Sequence, residues 1–193
     1  MSLTDKYYKD NSKEFILGTK DCNMSVQYNF FLKYLNKDSK RILDLGFGSG
    51  RDSLYFKSLG YDIYAIDPVE EFCKYARDLG LDNIYNITAE EMTFDSLFDG
   101  IWACASLLHI ESNKLIDVFN KCYKALNDNG IMYCSFKYGT YEGERKGRYF
   151  TDLNEEMFKE IIEATNFKVV DTLITDDVRP DREERWLNVI IKK

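Results

Sequence analysis

The stretch Ile42-Leu43-Asp44-Leu45-Gly46-Phe47-Gly48-Ser49-Gly50-Arg51-Asp52-Ser53 constrains the fold more than any other. An apolar strand with an acidic end runs into a helical pattern through glycines at 46, 48 and 50. Glycine admits positive φ and leaves no Cβ between the main chain and a ligand. At the carboxyl end of a first strand, this is where open α/β sheets bind small molecules. One glycine would satisfy an ordinary βα turn; alternate glycines point to a cofactor cradle. The dinucleotide fingerprint G-x-G-x-x-G, anchored on Gly46 and Gly48, needs glycine at position 51, and this chain has Arg51. The Gly-Lys-Ser/Thr ending of a Walker A loop is also missing. A second acidic strand end, Tyr64-Ala65-Ile66-Asp67-Pro68, follows roughly 20 residues later, a spacing that suits a carboxylate gripping ribose hydroxyls. Together the two anchors describe a site for a nucleoside without a phosphate chain.

The rest of the chain alternates strand and helix patterns. Apolar runs at Arg41 to Leu45, Asp62 to Ile66, Asn83 to Ile87, Gly100 to Ala105 and Ile131 to Phe136 read as buried parallel strands. Helical spacing appears in Phe72, Tyr75, Ala76 and Leu79, and again in Leu115, Val118, Phe119, Cys122 and Leu126 behind Ser112 as N-cap. Asn127-Asp128-Asn129-Gly130 stops that helix. Right-handed crossovers between such elements cover a parallel sheet with helices on both faces, which is the open α/β class. Tyr7 to Leu17 and Met24 to Leu35 read as two helices forming an N-terminal cap over residues 1–37. Residues 137–151 read as a long loop, closed by a capping box of Asp152 and Glu155 ahead of a helix through Met157, Ile161 and Ile162. Phe167 to Ile174 and Trp186 to Ile191 complete seven strands, the last antiparallel, within a single domain spanning 1–193.

Composition narrows the partners. Across 193 residues, 26 Lys plus Arg against 33 Asp plus Glu give a net charge of -7, which disfavours a polyphosphate partner and leaves no case for nucleic acid. No apolar run reaches the length of a bilayer span, and the Met1 to Lys6 start lacks a secretory signal, so a cytoplasmic protein without membrane contact is expected. Cys22, Cys73, Cys104, Cys122 and Cys134 never fall in C-x-x-C spacing and read as reduced core thiols. With His109 as the only histidine, no metal site is expected.

Asp44-Leu45-Gly46-Phe47-Gly48-Ser49-Gly50, with Asp67 ending the next strand, resembles the motifs of class I S-adenosylmethionine-dependent methyltransferases. The likeness extends from Met24 onward. Thr88-Ala89-Glu90-Glu91-Met92 resembles the segment that lines the adenine, Phe98 to His109 the fourth-strand motif, and Leu126 to Phe136 the fifth-strand signature. Within the family the chain is similar to small bacterial tellurite-resistance-like and ubiquinone-biosynthesis-like enzymes. The resemblance implies a Rossmann-like sheet of order 3-2-1-4-5-7-6 and S-adenosyl-L-methionine as cofactor. It places Asp44, Gly46, Phe47, Gly48 and Gly50 around the methionine part, Asp67 and Pro68 at the ribose, Thr88, Ala89 and Glu90 at the adenine, and Ala105 beside the cofactor. Phe47 stands where the family often has cysteine, and Thr88 where many members carry aspartate, so adenine recognition falls to backbone groups.

Methyl transfer from a sulfonium needs chiefly that the nucleophile be held in line and water excluded. The fourth strand lacks the Asn/Asp-Pro-Pro-Tyr/Phe run of amino-methylating enzymes, and Cys104 lacks the proline of cytosine methyltransferases, which leaves a small-molecule acceptor. His109, following that strand, is the candidate general base, with an ordering role in its loop as the alternative. Tyr8, Tyr138, Arg148 and Tyr149 join it as candidate acceptor-binding residues, the 137–151 segment covering the acceptor and Tyr7 and Tyr8 closing the other side. Trp102 and Trp186 read as core, and Arg179-Pro180-Asp181 as a solvated face. A catalytically silent S-adenosylmethionine-binding module and a nicotinamide-linked oxidoreductase are the rival readings, and a monomer or homodimer is expected.

Overall fold

β1 (Arg41–Leu45) shows how the sequence builds the layers. Its side chains alternate: Ile42 packs with Phe56 and Trp102 on one face, while Leu43 and Leu45 join Phe119 and Leu115 on the other. Both faces are buried, as the continuous apolar strands require. The computed structural model describes residues 2–180 and 182–193, so expectations touching Met1 and Asp181 lie outside it. Parallel to β1 run β2 (Asp62–Ile66), β3 (Asn83–Tyr85), β4 (Phe98–Ala103) and β5 (Leu126–Lys137). A two-stranded unit, β6 (Glu142–Arg145) and β7 (Arg148–Thr151), stands apart. β8 (Lys168–Asp176) and β9 (Arg185–Lys192) close the sheet in the order β3-β2-β1-β4-β5-β9-β8, with β9 antiparallel to both neighbours. Apart from the separate pair, this is the Rossmann-like order the resemblance implies.

Helices α1 (Leu3–Asp10), α2 (Ser12–Thr19) and α3 (Ser25–Leu32) precede the sheet; α4 (Arg51–Ser58), α5 (Glu70–Asp78), α6 (Ser112–Ala125) and α7 (Glu155–Glu163) cover it. None of the described helices is long and apolar enough to cross a membrane.

Several expectations need correction. Tyr7 to Leu17 is two helices, because Asn11 sits at φ -114° and turns its side chain back to the Tyr7 carbonyl, closing α1. The capping box is at the other end of α1, where Ser2 and Asp5 exchange hydrogen bonds. Asp152 caps nothing: it takes a bidentate pair from Arg145, and Asn154 caps α7 through Met157 N–H. Ser112 is the first residue of α6 rather than its N-cap, and its N–H and hydroxyl donate to the Glu142 carboxylate. Residues 137–151 are no open loop, since they fold into the β6–β7 hairpin. Cys22 and Cys104 are half-buried, unlike the three core thiols.

Candidate active site

The turn after β1 is held open for a ligand by backbone that only glycine tolerates. Gly46 has φ +76°, and a Cβ there would come well under 3.0 Å from Ser106 Cβ. Gly48 has φ +54°, and its Cβ would meet the Phe15 ring at 2.9 Å. The strand-end loop of β4 and the helix α2 therefore press directly on the turn, at the carboxyl edge of the sheet. Between them lies a cavity of about 490 Å³, within the range of roughly 300–1,000 Å³ usual for small-molecule sites.

Most of the sequence-derived cofactor residues line it: Gly46, Phe47, Gly48, Asp67, Pro68, Thr88, Ala89, Glu90 and Ala105. Asp44 and Gly50 do not. Asp44 is buried behind the turn, where it accepts the Ser53 hydroxyl at 2.6 Å, and burial with the neighbouring Asp52 charge pushes its carboxyl well up. Gly50, at φ +72°, starts α4 and takes its N–H to the Phe47 carbonyl. Asp67 accepts the N–H groups of Gly48 at 3.0 Å and Val69 at 2.9 Å, so it clamps the glycine turn to β2. Burial raises its pKa to about 7. An ionised carboxylate offers about four lone-pair sites, so two remain for a diol. Ala105 sits at φ +52°, a strained conformation for a residue with a Cβ, and its N–H donates to Ser135 Oγ.

Where the cavity meets α1 and β7, His109 is fixed through both ring nitrogens. Nδ1 lies 2.6 Å from the Tyr149 carbonyl, which can only accept, so Nδ1 carries the proton. Nε2 then accepts the Tyr8 hydroxyl at 2.9 Å, and Arg148 Nη1 donates to the same phenol oxygen at 3.2 Å. Burial lowers the His109 pKa to about 4, which keeps the ring neutral near pH 7. Burial raises that of Tyr8, opposed by Arg148. Tyr8, His109, Arg148 and Tyr149 all line the cavity. Tyr138 does not: it is exposed, donating to Glu155 with Arg185 over its ring. Tyr7 packs under Arg148, and Thr4 Oγ1 accepts Tyr149 N–H, so α1 is docked on β7.

Sequence reasoning missed several lining residues. Arg51, which served only to exclude a dinucleotide, is half-buried and forks onto the buried Asp52 at 2.6 and 2.9 Å. Asp52 also accepts Tyr28 Oη at 2.5 Å and Trp102 Nε1 at 2.9 Å. Burial would raise the Asp52 pKa, but Arg51 and these donors hold it below the ordinary value. Trp102 is thus core, as expected, with a polar tip anchored beneath the site. Trp186 is half-buried and lines the cavity, as do Arg179 and Asn188. Arg179 is no solvated face: its guanidinium pairs with Asp177, whose side chain is 2% exposed. Arg51 and Arg179 showed in the sequence only as charges at turns, and Trp186 and Asn188 only as residues of a strand, none of which spacing alone orients toward a cavity. Among the described residues, Gln27 Oε1, Ser106 Oγ and Arg148 Nε are buried without partners, and all three residues line this cavity.

Comparison with known proteins agrees with this geometry. Residues 43–134 match the family model described as a methyltransferase domain. Over that stretch the chain is similar to methyltransferases. It is 28% identical over 151 residues to a phosphoethanolamine N-methyltransferase of Plasmodium falciparum (isolate 3D7), a match covering 70% of this chain and 56% of that protein. The chain thus spans little more than half the length of that curated relative. A 1,6-didemethyltoxoflavin-N1-methyltransferase of Burkholderia thailandensis, solved with its substrate and S-adenosylhomocysteine, superposes with a TM-score of 0.79 at 22% identity, over 97% of this chain and 84% of that one. A S-adenosylmethionine-dependent methyltransferase from Methanosarcina mazei gives 0.74 at 18%, over 89% and 98%. The [4+2]-cyclase SpnF gives 0.77 at 15%, over 98% and 94%, so the fold alone does not name a reaction.

Proposed function

We propose that the protein transfers a methyl group from S-adenosylmethionine to a small-molecule acceptor. The observation that carries this reading is the cradle at Gly46 and Gly48, where a Cβ would clash, set against the buried Asp67 carboxylate and the unpartnered Ser106 hydroxyl. These groups fit a nucleoside lying along the main chain with its diol toward Asp67. Gly46 to Ser49, Asp67, Thr88 to Glu90 and Ala105 to Ser106 would hold the cofactor. When bound, it supplies an electrophilic sulfonium methyl and a neutral leaving group.

The chain's own residues then orient the acceptor and manage its proton. Tyr8 Oη is the phenol oxygen at the cavity wall, and His109 acts behind it. As the acceptor's nucleophilic atom loses its proton to Tyr8 Oη, the phenol proton passes to His109 Nε2, and the Tyr149 carbonyl keeps Nδ1–H in place. His109 is therefore a positioning residue that takes the phenol proton only in passing, since its buried ring is a weak base, rather than the group in contact with the acceptor. The docked α1 and the β6–β7 hairpin exclude water from this end. The named substrates of the two relatives above are both small molecules, in line with this reading.

Calorimetry with S-adenosylmethionine, S-adenosylhomocysteine and NAD tests the cofactor, with binding expected for the first two and none for NAD. A metabolite screen with labelled methyl donor then tests the acceptor. Donor binding with no labelled product across the screen would favour the silent binding module instead.

A further inference from the structure

The cations around the cavity are not equivalent. Arg51 is forked onto Asp52, Lys114 pairs with Glu111 at 2.7 Å, Lys137 with Glu184 at 2.6 Å, and Arg179 with Asp177 at 2.9 Å. Arg148 has no carboxylate within 4.0 Å among the described residues. Its neighbour Arg145 takes the adjacent acid, Asp152, for itself. Arg148 instead lies against aromatic rings, 4.5 Å from the Tyr7 centroid, 5.0 Å from Phe150 and 5.6 Å from Tyr8. Only Nη1 has a protein acceptor, the Tyr8 hydroxyl, and Nε is buried without one.

Ring faces attract a cation but accept few of its N–H bonds, and a guanidinium shielded from water is costly while its fork stays unfilled. The complement of a planar fork is an oxyanion with two parallel acceptor oxygens. Among the described residues, every other cation lining the cavity has its anion from the protein except Arg182, which is exposed to solvent. Arg148 has the geometry to take one from the ligand.

We infer that Arg148 binds an anionic group of the methyl acceptor, a carboxylate or phosphate, beside the Tyr8 phenol. This rests on the methyl-transfer reading and narrows it to acceptors that carry a compact oxyanion close to the nucleophilic atom. The apolar rings then serve to raise the strength of that one contact by keeping water away. Because Arg148 also bonds Tyr8, the same residue that seats the anion holds the phenol in place.

The test uses the full chain saturated with S-adenosylhomocysteine and inorganic phosphate as the probe, titrated against chloride at matched ionic strength. Thermal unfolding of the wild-type complex should shift upward saturably with phosphate. Arg148→Met should abolish the saturable shift, and Arg148→Lys, which keeps the charge and loses the fork, should raise its midpoint by about tenfold. Arg145→Met removes a paired cation of the same hairpin and should leave the midpoint within about twofold, which separates anion binding from loss of hairpin structure. Affinity for S-adenosylhomocysteine, measured by calorimetry, should stay near wild type in all three variants. No phosphate response in the wild type, or an equal response in Arg148→Met, overturns the inference while leaving the methyl-transfer reading intact. Absence of S-adenosylhomocysteine binding to the wild type overturns both.

Discussion

Gly46→Ala isolates the cradle, because two costs act on it and they can be separated. The first is conformational: at φ +76° a residue with a Cβ loses about 1–2 kcal/mol. The second is steric, since the new methyl would meet Ser106 Cβ well inside contact distance, an overpacking cost of about 1–3 kcal/mol. Their sum, about 2–5 kcal/mol, is less than the stability of most domains, so the variant should fold while its turn is displaced. Loss of the main-chain approach should weaken S-adenosylhomocysteine binding by about tenfold or more, each tenfold being about 1.4 kcal/mol. Adding Ser106→Gly removes the clashing atom and leaves φ untouched, so the double variant should recover about 1–3 kcal/mol over the single one. Gly50→Ala is the contrast: φ is +72°, but a Cβ would find its nearest atom at 3.7 Å. It should show the conformational cost alone, with ligand affinity near wild type. Urea unfolding and calorimetry on the four proteins read both quantities. Equal ligand affinity in Gly46→Ala and wild type, or no recovery in the double variant, would refute the steric argument.

Tyr8→Phe should lower turnover by about 10²–10⁴-fold with S-adenosylhomocysteine affinity kept, and His109→Ala should do the same only through Tyr8, so their effects combine less than additively in single-turnover assays. Asp67 titrates in the free protein near 7, its folded value lying above the unfolded one. Its burial therefore costs stability progressively as pH rises from about 4 to 7. A diol prefers the ionised form, so ligand affinity should climb up to tenfold per pH unit below 7 and level off above, a slope that Asp67→Asn should flatten in calorimetry. Asp52→Asn leaves the half-buried Arg51 without its counter-charge and should cost about 1–3 kcal/mol in urea unfolding.

The parallel sheet was readable because its strands are buried on both faces and bounded by glycine, acid and helical spacing. The glycine turn and Asp67 were readable for the same reason: their residue types are dictated by backbone geometry close in sequence. Asp44 shows the limit of that logic, since strand alternation sends its side chain to the layer beneath the turn, toward Ser53, and a motif does not state which way a carboxylate faces. The β6–β7 hairpin was read as a loop because its turn residues Lys146 and Gly147 follow strands of only four residues, rich in charge and lacking clean alternation. Its stability comes from elsewhere in the chain, through Ser112, Ile110 and Thr4. His109 was found as the lone titratable group near the strand end, yet its partner Tyr8 is 101 positions away, a pairing that no spacing rule carries.

Those long-range ties of the hairpin bear on how this scaffold can be re-engineered. Glu142 supplies the cap of α6, the Thr151 hydroxyl donates to the Ile110 carbonyl, and Tyr149 N–H donates to Thr4 Oγ1. A β6–β7 hairpin transplanted from a relative would therefore arrive without the partners that α6 and α1 need, exposing Ser112 N–H and freeing the N-terminal helix. Changes of specificity are better sought by substituting wall residues such as Phe150 and Trp186 one at a time than by exchanging the hairpin as a cassette.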